Sequence, residues 1–112
     1  MTPTETNRNH SRQSPMMRYD TFYNRLAKAN GGAPPAEPQE VMPGIWWWSK
    51  RCFGDFTVGE TRLNLFTLFY SLQNGETLDE YLKEYANDYD YDRQQAQLAT
   101  KSIATFLIGG PR

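Results

Sequence analysis

The sequence predicts a mainly α domain: a three-helix, helix-turn-helix unit preceded by a short β-hairpin, with a separate amphipathic helix on its N-terminal side. Three observations lead there. After Leu63, apolar residues recur at helical intervals in three successive runs, parted by Asn74-Gly75 and by Ala86-Asn87-Asp88. Aromatic and β-branched residues cluster in Ile45-Trp46-Trp47-Trp48-Ser49 and Phe56-Thr57-Val58, with Gly54-Asp55 between them, the composition of a strand pair. A further run at helical spacing, Met16, Tyr19, Phe22, Tyr23, Leu26 and Ala29, stands apart beyond a proline-rich stretch.

In chain order, residues 1–15 hold Thr, Asn, Arg, Ser, Gln and Pro without apolar period and read as a disordered tail. The amphipathic helix covers 16–30 and stops at Gly31-Gly32. Residues 31–44 carry Pro34, Pro35 and Pro38 and read as an extended linker, closing in a turn at Pro43-Gly44. The domain proper is placed at 45–108, with 109–112 as a tail. Its first strand ends at the basic turn Lys50-Arg51. The first of its helices should run from Leu63 to Gln73, burying Leu65, Phe66, Phe69 and Leu72. Thr77 followed by Glu80 has the spacing of a capping box, so the second helix is expected over Leu78 to Tyr85, turning Leu78, Tyr81, Leu82 and Tyr85 inward. Asp88 or Asp90 caps the third, which presents Tyr91, Leu98, Ile103, Phe106 and Leu107 before Gly109-Gly110-Pro111 stops it.

Composition bounds the function. One domain of 112 residues with little core-forming sequence in its first third gains from a partner, and a homodimer is expected. Twelve basic against 13 acidic side chains leave a formal charge of -1, unlike a stand-alone nucleic-acid binder. A single cysteine, no secretion signal and no apolar run of membrane-spanning length point to the cytoplasm. Acid–base or triad catalysis has no material: His10 is the only histidine and lies in the tail, and Cys52 has no histidine partner. No enzyme, cofactor or metal site is expected. Asp88, Asp90 and Asp92 have calcium-like spacing, but Arg93 and Ala99 stand where such a loop needs a glycine and a carboxylate.

Cys52, Gly54, Val58, Gly59, Thr61, Arg62, Leu63 and Leu65, with Glu60 inserted, followed by Gly75, Thr77, Asp79, Glu80, Tyr81 and Tyr85, resemble the two motifs of a family of small bacterial antitoxin-like proteins of VapB type. The resemblance covers Cys52 to Leu107. It implies a homeodomain-like helix-turn-helix, commonly dimeric, that neutralises a nuclease-like toxin partner and binds its own promoter.

Candidate residues follow from both lines. On the third helix Arg93, Gln94, Gln97 and Lys101 form a polar face able to read base edges, opposed by the three aspartates at its start, which also suit the helix dipole. Tyr19, Phe22, Tyr23 and Leu26 on a proline-rich tether, together with Trp46, Trp47 and Trp48, are candidate partner-binding residues. Consecutive strand residues face opposite sides, so the three tryptophans cannot share one core. Either the N-terminal helix folds back over the outlying face or a partner covers it. Arg62 reads as a tie to Glu76 or Glu84, and Lys50-Arg51 as a solvated turn or a phosphate contact. The leading expectation is an antitoxin-like interaction protein. The alternatives are a helix-turn-helix DNA-binding regulator without a toxin and a structural adaptor.

Overall fold

Pro43-Gly44 closes a tight turn between β1 (Gln39–Met42) and β2 (Ile45–Trp47), with Met42 paired to Ile45. The computed structural model describes residues 17–109. Strand β3 (Phe56–Val58) pairs antiparallel with β2, giving a three-stranded sheet in the order β1-β2-β3. Helix α1 (Tyr19–Ala29) precedes the sheet; α2 (Leu65–Gln73), α3 (Leu78–Tyr85) and α4 (Tyr89–Gly109) follow it.

The fold is therefore α+β, and this overturns the mainly α, three-helix homeodomain-like reading. Two elements make the difference. Residues 31–44, expected as an extended linker, contain β1, a short edge strand that Pro38 immediately precedes, a position where the missing N–H is tolerated. A register shift between Glu40 and Met42 breaks its alternation, so no period-two signal survives in the sequence. The second element is α1, which is part of the core and not a separate helix. Phe22 is fully buried, with its ring 5.0 Å from Phe69 of α2 and 5.1 Å from Phe106 of α4. Burial of such a side chain contributes about 1.5–3 kcal/mol, enough to hold a helix too short to stand alone.

Strand pairing explains the tryptophans. Ile45 and Trp47 of β2 share a face with Val58 and Phe56 of β3, and all four are buried. Trp46, opposite Thr57, lies on the other face. Tyr23 of α1 sits edge-on to Trp47, with ring centroids 6.2 Å apart, so α1 packs on the core face of the sheet and not on the outlying face that carries Trp46.

Helix α4 lies against this sheet on its small side chains. Asp92, Ala96, Ala99, Ser102, Ile103 and Phe106 form its buried stripe, not the larger Tyr91 and Leu98 that the sequence suggested. The alanines let the β1–β2 turn approach the helix backbone. A Cβ on Gly44, whose φ is +80°, would stand 2.5 Å from Ala99 N and from Gln95 O. Ser102 donates a hydrogen bond of 2.7 Å to the Pro43 carbonyl and fastens the same contact.

Helix α3 begins as expected. Thr77 accepts from the Glu80 amide at 3.1 Å while the Glu80 carboxylate accepts from the Thr77 amide at 2.7 Å, a reciprocal capping box. Helix α2 starts two residues later than expected, at Leu65 behind an Asn64 cap, because the Leu63 carbonyl is taken by the Val58 amide. Its buried face carries Leu68, whereas Phe66 is turned outward, as is Tyr85 of α3.

Candidate functional site

The connection between β2 and β3 holds the two non-glycine residues with positive φ among the described residues. It turns at Ser49-Lys50 and then forms a single 3-10 turn, Cys52–Gly54. Cys52 and Phe53 have φ of +53° and +55°, and Gly54 follows at +84°. Left-handed backbone costs an L-residue about 1–2 kcal/mol, and here two non-glycine residues adopt it in succession. The conformation delivers Phe53 wholly into solvent, at a relative exposure of 107%.

Surrounding groups hold the loop in that form. The Gly54 amide donates to the Arg51 carbonyl and the Asp55 amide to the Cys52 carbonyl, both at 3.0 Å. The Gly54 carbonyl accepts from the buried Trp47 indole at 2.8 Å and from the Tyr23 hydroxyl at 2.9 Å. Asp55 accepts a short hydrogen bond from the Tyr19 hydroxyl and a second, of 2.8 Å, from the Phe56 amide. From the proline segment, the Pro35 carbonyl receives the Ser49 amide and the Ala36 carbonyl the Trp48 indole, each at 3.0 Å. Strain of this size persists only where neighbours over-determine it, and here α1, the proline segment, β2 and the start of β3 do so.

Electrostatics at the loop follow from burial. Desolvation pushes the Asp55 carboxyl above its usual value, against the hydrogen bonds from Tyr19 and Phe56 that favour its ionised form. Burial also raises the Tyr19 hydroxyl, with the Asp55 charge adding to it, so the tyrosine is the donor in this pair. The Cys52 thiol is raised by desolvation and then by Asp55, with Arg51 and Arg62 opposing. It stays protonated near neutrality and donates to the Arg62 carbonyl at 3.3 Å, the role of a structural donor and not of a thiolate nucleophile.

Beside the loop lies an open cleft of about 600 Å³, walled by residues 48–53 on one side and 60–62 on the other. Lys50, Arg51 and Arg62 bring three positive charges to it, against one negative charge from Glu60. The Arg51 guanidinium lies over the Trp48 ring, 4.9 Å from its centroid, and its Nη1 atom is buried without a hydrogen-bond partner among the described residues. Arg62 is exposed, and among the described residues it forms no ion pair with Glu76 or Glu84.

Residues singled out from the sequence are divided by the fold. Phe22, Leu26 and Trp47 are core residues and offer no surface to a partner. Tyr19 and Tyr23 brace the β2–β3 loop, Trp48 forms part of the cleft wall, and Trp46 stays half-buried on the opposite sheet face. Arg93, Gln94, Gln97 and Lys101 are exposed along the side of α4 away from its buried stripe. Of the aspartates at its start, Asp92 is turned inward, where its Oδ2 accepts from the amides of Asn87 at 2.9 Å and Asp88 at 3.2 Å. His10 lies outside the described residues. Little in the sequence marks Phe53: an aromatic beside a glycine between two strands is the only signal.

A second exposed aromatic pair, Phe66 and Tyr70 of α2, stacks with centroids 5.8 Å apart. It carries neither backbone strain nor a charged neighbour with an unsatisfied donor, so the β2–β3 loop is the stronger candidate. No helix among the described residues is long and apolar enough to cross a membrane. No protein-family model, curated protein or solved structure matches the chain.

Proposed function

We propose that this protein is a non-enzymatic interaction module that holds a protein partner on the β2–β3 loop, with Phe53 as the anchor. The observation that carries the reading is the left-handed Cys52-Phe53 pair, which exposes a large apolar ring at a local backbone cost and braces it from α1, β2 and the proline segment. Backbone strain of this kind collects at functional sites, and a rigid aromatic loses little conformational entropy when it enters a partner's pocket. The cleft beside it, about 600 Å³ with three cations on its walls, supplies polar contacts around that anchor. The narrower antitoxin reading, in which the partner is a nuclease-like toxin, rests on the sequence resemblance alone.

Photocrosslinking tests the reading. A photoreactive amino acid placed at Phe53 in the native cell should yield one discrete protein adduct, and the same group at exposed Lys28 of α1 should not. An adduct of twice the chain mass would identify the partner as a second copy, the expected homodimer. Equal, diffuse labelling from both positions would contradict the assignment of the loop as the binding surface.

A further inference from the structure

The basic cleft indicates what kind of segment the partner presents. Lys50 and Arg51 stand on one wall of the cleft and Arg62 on the other, and among the described residues none of them is engaged in an ion pair. The Nη1 atom of Arg51 is closed to solvent and lacks an acceptor, a cost that a carboxylate in the cleft relieves only by drawing the guanidinium outward, while Arg62 stands exposed to it directly. Arg51 is also pre-positioned by the face of Trp48, so little side-chain freedom is lost on binding. Next to these charges stands the apolar ring of Phe53, so an anionic group and an apolar group are wanted within one short ligand.

We propose that this cleft binds an acidic segment of a protein, seating a side-chain carboxylate against Arg51 and Arg62 while a neighbouring apolar side chain covers Phe53. The inference rests on the interaction-module reading and gives it a chemistry. A carboxylate matches the planar fork of an arginine by two parallel hydrogen bonds. Single-stranded nucleic acid would also bring anions and flat rings, but it calls for a basic track several nucleotides long. Here the chain carries a net charge of -1, and the cleft has the volume of a discrete site.

Titration of the full-length, isotope-labelled protein followed by NMR amide and indole shifts tests this. The probes are a short peptide of alternating glutamate and leucine, the same peptide with glutamine for glutamate, and a thymidine oligonucleotide. The glutamate peptide should shift the Trp48 indole and the amides of the loop and of Arg62. Binding should weaken roughly tenfold or more for the glutamine peptide and for Arg62→Gln, the loss of one charge-assisted hydrogen bond. Arg51→Met should weaken it likewise, with its spectrum reporting whether the fold is intact, and Lys83→Gln on α3 should bind as the unmodified protein. Equal binding of the two peptides, indifference to Arg62→Gln, or shifts with the oligonucleotide alone would overturn the inference. A protein crosslinked from position 53 alongside a failed glutamate titration would remove the acidic ligand and leave the interaction reading standing.

Discussion

Substituting Gly44 by alanine separates local backbone strain from tertiary packing, because the fold contains its own control. Gly44 and Gly75 have nearly the same φ, +80° and +79°, yet a Cβ at Gly75 would meet nothing within 4 Å. At Gly44 it would stand 2.5 Å from two backbone atoms of α4, where ordinary contact is 3.4–4 Å. Gly75→Ala should therefore lose only the left-handed term, about 1–2 kcal/mol, less about 0.4–1 kcal/mol returned by a stiffer unfolded chain. Gly44→Ala bears the same terms plus overpacking of about 1–3 kcal/mol. Backing the turn away from α4 also weakens the 2.7 Å Ser102–Pro43 hydrogen bond, worth about 1 kcal/mol. The expected gap between the two variants is about 2–4 kcal/mol. In a domain of this size that corresponds to roughly 10–20 °C in Tm, measurable by urea and thermal unfolding with unchanged m-values. Two variants equal within about 0.5 kcal/mol would refute the close docking of the β1–β2 turn on α4.

Two further outcomes follow from the polar contacts. Asp92→Ala leaves the Asn87 and Asp88 amides without their acceptor and should cost about 2–3 kcal/mol in urea unfolding, whereas Asp92→Asn, which keeps an oxygen there, should recover most of it. Asp55, raised in the folded state chiefly by desolvation, binds its proton more tightly folded than unfolded. Its contribution to stability is therefore full below the unfolded carboxylate value and lost as pH rises through the folded one. Asp55→Asn keeps an oxygen for Tyr19 and Phe56, so its unfolding free energy relative to the unmodified protein should rise between acidic and neutral pH. A difference that is flat or falls with pH would contradict the burial of that carboxyl.

Local chemistry was legible in the sequence wherever a few adjacent residues decide it. Thr77 and Glu80 announce the start of α3, whose bounds Leu78–Tyr85 coincide with the expected ones, and Pro43-Gly44 announces its turn. Strand β1 was hidden because its two exposed residues, Gln39 and Glu40, follow a proline and its register shifts midway. The place of α1 was hidden for a different reason: its stripe of Tyr19, Phe22, Tyr23 and Leu26 is equally suited to a foreign groove and to its own core. Only the rings of Phe69, Phe106 and Trp47 in three distant segments decide between them. The candidate site was the least legible. Its backbone conformation is imposed from outside the loop, by the hydroxyls of Tyr19 and Tyr23, the indole of Trp47 and the Ala36 carbonyl, and no pattern within residues 48–55 encodes it.

The claim that the β2–β3 loop exists to bind, and not to stabilise the fold, is tested most directly by Phe53→Gly. Glycine adopts the left-handed backbone without penalty, and the side chain it removes touches only solvent. Tagged protein and variant would be purified side by side from native extract after nuclease treatment, with unfolding curves confirming that both are folded. The account predicts that the variant is at least as stable as the unmodified protein and that a stoichiometric protein partner recovered with the latter is lost with the former. Recovery of that same partner by both proteins would contradict it.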